Sequence, residues 1–172
     1  MFLLLKVIVV GDGAVGKTTL ATHFTYGKFI EYYKITIGVD FFAKDVTIGN
    51  DVVRLQIWDA AGQERFAFIR PNYYEGSSGG FMVFDVTRPD TFQSLDKWLS
   101  EVYKKCGKIP LFLLGNKIDL ESRKVKKSHA ERYAEKQGLP YYETSAKTGE
   151  FVFDVFSELA YTLYNKYLES GK

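Results

Sequence analysis

Apolar and polar positions follow two different rhythms along the chain. Residues 3–10, 81–86 and 111–115 are short apolar runs with almost no polar interruption, the mark of strands covered on both faces. Two longer extended stretches, at about 39–48 and 52–58, flank Gly49-Asn50-Asp51, which reads as a tight hairpin turn. Between these runs the period lengthens. Phe92, Leu95, Trp98, Leu99, Val102 and Tyr103 recur at helical spacing, with Asp90 and Gln93 placed as a capping box. Ser128 and Glu131 form a second box over residues 128–137, and Gly138 and Pro140 stop that helix. Val152, Val155, Phe156, Leu159 and Leu163 make one stripe of a long closing helix. Strand–helix alternation with one hairpin predicts an α/β fold: a mostly parallel sheet with helices on both faces, and no linker dividing 1–172 into two domains.

The first apolar run leads directly into Gly11-Asp12-Gly13-Ala14-Val15-Gly16-Lys17-Thr18, the pattern G-x-x-x-x-G-K-[ST] at a strand-to-helix junction. Glycines let such a loop bend so that successive backbone N–H groups point inward at phosphate oxygens. The following helix adds its positive N-terminal end. Gly11, Gly13, Ala14, Val15 and Gly16 are therefore expected to cradle a nucleoside triphosphate, with Lys17 reaching its β- and γ-phosphates. Thr18, followed by Thr19 in the same first turn, offers a hard hydroxyl oxygen suited to Mg²⁺.

Asn116-Lys117-Ile118-Asp119 stands at the end of the 111–115 strand, where ligands of such sheets bind. A carboxylate at Asp119 accepts hydrogen bonds from the N1–H and 2-amino group of guanine; adenine lacks the amino group and presents an acceptor at N1. Downstream, Ser145-Ala146-Lys147 offers a backbone N–H for the guanine O6. Asp59-Ala60-Ala61-Gly62-Gln63-Glu64 follows the second arm of the hairpin. Asp59, at a strand end facing the phosphate loop, suits a Mg²⁺ partner, directly or through water. Gly62 offers an unobstructed N–H and Gln63 a side chain that can orient a water molecule. Thr36, in the loop before the hairpin, is a further candidate Mg²⁺ oxygen.

Composition narrows the classes. The 172 residues are 46% apolar and 26% charged, which suits one globular domain and excludes disorder over most of the length. A net charge of +2 gives no nucleic-acid-binding face, and the basic knot Arg123-Lys124 with Lys126-Lys127 reads as a solvated loop. The single Cys106 excludes an internal disulfide and reads as a small apolar residue near a helix end, in a reducing intracellular compartment. The opening run carries Lys6 in its middle and is expected to be a strand rather than a leader. Aromatics reach 16%, with 14 Phe, 12 Tyr and 2 Trp, and composition does not say whether this surplus is core or contact surface.

With five nucleotide motifs in order over about residues 3–168, the chain resembles the Ras-superfamily small GTPases, most closely their Rab branch. The Rab-like marks are Ile37-Gly38-Val39-Asp40-Phe41, Arg54-Leu55-Gln56-Ile57-Trp58-Asp59, Gly62-Gln63-Glu64-Arg65-Phe66 and Tyr73-Tyr74. The resemblance implies a P-loop G domain with six strands, one of them antiparallel, and switch segments around 30–40 and 60–75. It implies that Phe29 packs against the guanine, that Lys117 lies along its ring, and that Thr36 closes on the γ-phosphate and Mg²⁺ until hydrolysis releases it. It also places Phe41, Trp58 and Tyr73, extended by Phe66 and Phe68, in a hydrophobic patch that reads effectors. Phe81, Phe84, Phe112, Phe153 and Phe156 fall to the core.

The chain departs from the family pattern at Ala60, where Thr is usual, and at Ile35, Gly13 and Phe68-Ile69-Arg70-Pro71. Rab proteins carry a longer tail with prenylated cysteines. This chain contains none, so a cytoplasmic monomer is expected, reaching membranes only through such a tail or a partner. The leading reading is a slow GTP hydrolase using Gln63, Lys17, Thr36 and Gly62, served by effectors, an exchange factor and a GTPase-activating protein. A nucleotide-locked interaction module with negligible turnover is the alternative. A metabolite kinase is a third class, disfavoured by Asp119 and by the absence of a recognisable second-substrate site.

Overall fold

In the computed structural model, which describes residues 1–31 and 36–171, the apolar runs become strands of a single sheet. Ile35 lies outside the described residues. The strands are β1 (Phe2–Val10), β2 (Val39–Ile48), β3 (Asp51–Ala60), β4 (Gly79–Asp85), β5 (Leu111–Asn116) and β6 (Tyr141–Thr144), in spatial order β2-β3-β1-β4-β5-β6. The β2–β3 hairpin is antiparallel and every other pair is parallel, so the expected six-stranded topology is the observed one. The hairpin is fully paired, from Ile48↔Asp51 at the turn to Val39↔Ala60 at its open end.

Helices α1 (Lys17–Tyr26), α2 (Arg70–Tyr74), α3 (Pro89–Gln93), α4 (Leu95–Cys106), α5 (Lys127–Gln137) and α6 (Val152–Glu169) surround the sheet, with a 3₁₀ turn at Glu64–Phe66. Strand alternation sorts the core into two halves. Val7, Val9, Phe81 and Val83 pack with Leu20 and Phe24 of α1 and Val155, Phe156 and Leu159 of α6. Ile8, Val10, Met82 and Phe84 pack with Trp98 and Val102 of α4 and Ala130 and Ala134 of α5. Phe24 stacks on Phe156 with ring centroids 4.3 Å apart, so aromatic surplus on this side is core.

Four expectations change. The first run is buried on both faces only from Val7 onward; Phe2 and Leu4 are exposed and Lys6 is partly so, because β4 begins to pair with β1 only at Val7. Neither capping box forms. Pro89 occupies the first turn of α3 and starts that helix one residue before Asp90, whose carboxylate pairs with Arg88 instead. The α5 helix starts at Lys127, directly after Lys124 and Val125 are pinned to the Val86 carbonyl, so Ser128 falls inside its first turn. Finally, Phe153 is 57% exposed, one position off the buried stripe of α6.

Five parallel strands end at one edge of the sheet. The phosphate loop, Asp59, Asp85, Asn116 and Ser145 all lie there, on either side of β1 where the strand order reverses.

Candidate nucleotide site

The phosphate loop is held in its bent form by contacts that only glycine permits. Gly16 sits at φ 103° just before α1, and a Cβ there would lie 2.3 Å from Asn116 Nδ2. Ala14 also has positive φ. Lys17 is buried and its ammonium donates to the Asp12 carbonyl at 2.8 Å. Burial pushes this lysine down to about 8, against the pull of Asp59 and Asp12. Val15 is buried, and Thr19 is partly buried in the same first turn of α1.

Three hard oxygens converge beside that ammonium. Thr18 Oγ1 lies 2.9 Å from Thr36 Oγ1, Thr18 donates to Asp59 Oδ2, and Thr36 Oγ1 is 3.5 Å from the same carboxylate oxygen. Asp59 has no exposed surface, and burial raises its carboxyl to about 6 despite Lys17 and the Thr18 bond. Its second oxygen, Oδ1, is buried with no hydrogen-bond partner among the described residues. A buried carboxylate oxygen left open next to two hydroxyls is the donor set a small hard cation takes.

Gly62 lies against the phosphate loop so closely that a Cβ would meet Gly11 O at 2.3 Å and Gly13 N at 2.6 Å. The Gln63 side chain follows, its Cγ 3.7 Å from where a Cβ of Gly13 would stand. The Ala61 N–H donates to Gly38 O at 2.9 Å, joining the segment after β3 to the one before β2.

At the other end of the edge, Asn116 is fully buried. Its Nδ2 donates to Val15 O at 2.9 Å, and its Oδ1 accepts Thr144 Oγ1 at 3.1 Å and Ala146 N–H at 3.0 Å. It therefore braces the phosphate loop against the loop after β6. Asp119 Oδ1 accepts the Ser145 hydroxyl at 2.7 Å. Lys117, at φ 72°, reaches across to Ala14 O at 2.7 Å and to Asp85 Oδ2 at 2.7 Å. Burial works to raise the Asp85 carboxyl, but Lys117 and Thr87 outweigh it and hold it below the ordinary range. Ala146 is buried, Lys147 is exposed, and Phe29 is exposed after α1.

A sequence-family model described as Ras family matches residues 6–165. Over 169 residues, 93% of this chain and 82% of the relative, the chain is 42% identical to the Ras-related protein Rab7 of Drosophila melanogaster. The chain belongs to the Ras family. It is a Rab-like small GTPase, a hydrolase of GTP.

The GTPase carries its aromatic patch where the open end of the hairpin meets α2. Phe41 is 56% exposed and stands edge-on to half-buried Trp58 at 4.5 Å, with Tyr73 6.4 Å beyond. Lys6 lies 3.5 Å over the Trp58 ring and donates to the Glu75 carbonyl at 2.7 Å. Phe66 is partly buried and Phe68 exposed nearby in sequence. No described helix is long and apolar enough to cross a membrane.

Sequence reasoning missed a set of residues behind the phosphate loop. Asp12 Oδ1 accepts Trp98 Nε1–H at 2.8 Å, and its Oδ2 accepts the Ser94 hydroxyl at 2.8 Å. Arg88 donates to Gly13 O at 3.1 Å. Arg70 is buried against Glu101 and Trp98. Asp12 occupies a free position of the loop motif, and Arg70 interrupts an apolar stretch within the Phe68-Ile69-Arg70-Pro71 departure from the family pattern; neither signal names a partner.

Proposed function

We propose that this small GTPase binds GTP and GDP with Mg²⁺ across the strand edge and hydrolyses GTP slowly, as a single G domain over 1–172. The convergence of Thr18, Thr36 and the open Asp59 oxygen beside Lys17 carries this reading. The donor set fits Mg²⁺, whose chemistry when bound is to neutralise charge on the β- and γ-phosphate oxygens. Lys17 and the loop N–H groups of Gly13, Ala14, Val15 and Gly16 bind the phosphates, and a phosphate's charge favours the buried ammonium. Asp119 selects guanine, the loop Ser145-Ala146-Lys147 serves O6, and Lys117 and Phe29 cover the ring. Asn116 sets the distance between the base and phosphate loops.

Gly62 presents its N–H to the γ-phosphate and Gln63 orients the attacking water, a step that relies on position rather than on proton transfer by a strong base. Arg70 and Arg88 are already engaged, by Glu101 and by Asp90 with Gly13 O, so neither is free to stabilise charge at the γ-phosphate. A partner arginine would then supply about 10³–10⁵ in rate. Thr36 and Gly62 sense the γ-phosphate, and the patch of Phe41, Trp58 and Tyr73 presents that state to effectors in a Rab-like role in membrane trafficking, with an exchange factor resetting it.

The test combines extraction of the nucleotide that co-purifies with the protein and a single-turnover GTP assay. Guanine nucleotide and a slow rate that falls at least ~10-fold in Gln63→Leu are expected. An unaltered rate in that variant removes Gln63 from the mechanism, and no measurable turnover in the wild type favours the locked module.

A further inference from the structure

Among the described residues Arg70 is the one arginine with no exposed surface, and it is held from three directions. Its Nε and Nη2 form a two-pronged pair with Glu101 at 2.9 and 3.0 Å. The guanidinium stacks 4.3 Å from the centre of the Trp98 ring. Tyr74 donates its hydroxyl to the same Glu101 at 2.6 Å. Burial works to raise the Glu101 carboxyl, but Arg70 and Tyr74 outweigh it and keep it ionised below the usual range. Trp98 in turn is tied to Asp12 in the phosphate loop.

The remaining guanidinium nitrogen, Nη1, faces the second switch. It donates to Gln63 O at 3.0 Å and to Ala61 O at 3.4 Å, the carbonyls on either side of Gly62. In a trans peptide the N–H points opposite to the carbonyl. With the Ala61 carbonyl turned to Arg70, the Gly62 N–H is turned the other way. The Gln63 carbonyl also accepts Phe66 N–H at 3.0 Å, which fixes the peptide that follows the glutamine. A buried ion pair alone is weak support for stability. This one additionally sets two peptide planes at the place where hydrolysis needs them.

We propose that Arg70 is a positioning residue for GTP hydrolysis: braced on Glu101 and Trp98, it holds the carbonyls of Ala61 and Gln63 so that the Gly62 N–H and the Gln63 side chain meet the γ-phosphate and water. The proposal rests on the roles given above to Gly62 and Gln63. It makes α4 a rigid bridge between the phosphate loop and the catalytic turn, through Trp98 on one side and Arg70 on the other.

Single-turnover GTP hydrolysis with Mg²⁺ tests it, alongside GDP dissociation and melting temperature. The variants are Arg70→Ala, Arg70→Lys and the double variant Arg70→Met/Glu101→Gln, each with and without Gln63→Leu. The double variant removes both buried charges and keeps the comparison decisive if Arg70→Ala does not fold. Hydrolysis about tenfold slower is expected in each Arg70 variant, with GDP dissociation within about threefold of wild type. Arg70→Lys keeps a charge beside Glu101 but lacks the fork, so it recovers melting temperature without recovering rate. In the Gln63→Leu background the Arg70 substitutions slow hydrolysis less than they do in the wild type, by only the share that the Gly62 N–H carries. Rates within about twofold of wild type, while Gln63→Leu alone is slow, overturn the role of Arg70 and leave that of Gln63 standing. Losses that multiply in full with Gln63→Leu also overturn it, as they leave the glutamine side chain outside what Arg70 positions. A Gln63→Leu variant as fast as wild type overturns the underlying reading together with the proposal.

Discussion

At the base end of the nucleotide cleft, Asn116, Asp119, Thr144 and Ser145 bond to one another at the ends of β5 and β6, and three of these four are fully buried. At the γ-phosphate end, Thr36, Gly62 and Gln63 belong to segments that leave the sheet. There, among the described residues, the ties are Thr18 and Asp59 to Thr36, Ala61 to Gly38, and Arg70 to two carbonyls. The base end keeps its shape from its own packing. The ties of the γ-phosphate end run between separate segments that leave the sheet, and such bonds are the ones a ligand replaces or releases at least cost. On the proposed function, the base end would hold the nucleotide while the other end answers to a single phosphate.

The contrast can be broken most severely at Asn116. Alanine there strands Val15 O, Thr144 Oγ1 and Ala146 N–H in a buried place, at a cost of about 3 kcal/mol. A lower melting temperature and faster GDP dissociation are expected together, since one amide serves both loops. Gly62→Ala attacks the other end. Its Cβ would press on Gly11 O and Gly13 N, which are backbone and cannot swing away. Hydrolysis falls about 10²-fold in a single-turnover assay, the scale of losing one oxyanion-type donor, while GDP dissociation changes little. The smallest effect is optical. Trp58 is half-buried beside the second switch, whereas Trp98 is buried and bonded to Asp12. Exchange of GDP for a non-hydrolysable GTP analogue is expected to alter tryptophan emission through Trp58: Trp58→Phe abolishes the change and Trp98→Phe preserves it.

Five strands were legible because apolar runs and the hairpin turn are local signals; the short β6 (Tyr141–Thr144), half-buried over most of its length, was read from no run, and the count of six came from the family resemblance. The motif residues stood out by their fixed spacings, and the fold gathers Lys17, Thr18, Asp59, Asn116 and Ser145 at one edge of the sheet. Pairings such as Asp12 with Trp98 or Arg70 with Glu101 join residues 86 and 31 positions apart and leave no periodic trace. The capping boxes failed for a related reason. Pro89 in α3, and the Val86 carbonyl ahead of α5, set the helix starts from outside the box. The aromatic surplus divides along the same line: Phe81, Phe84, Phe112 and Phe156 are buried as their positions in strands and stripe foretold, whereas exposed Phe153 shows how one step around a helix leaves the core.

The described residues just before β2 and just after β3 are the two ends of one hairpin, clasped by the bond from Ala61 N–H to Gly38 O just beyond the Val39↔Ala60 pair. Its two arms are not equal. The inner arm, β3, is hydrogen-bonded to β1 on one side and to β2 on the other, whereas β2 is the outermost strand of the sheet and has β3 alone as its neighbour. The inner arm is an anvil, and displacement is cheapest in the outer one, which carries exposed Phe41 against Trp58 of the anvil.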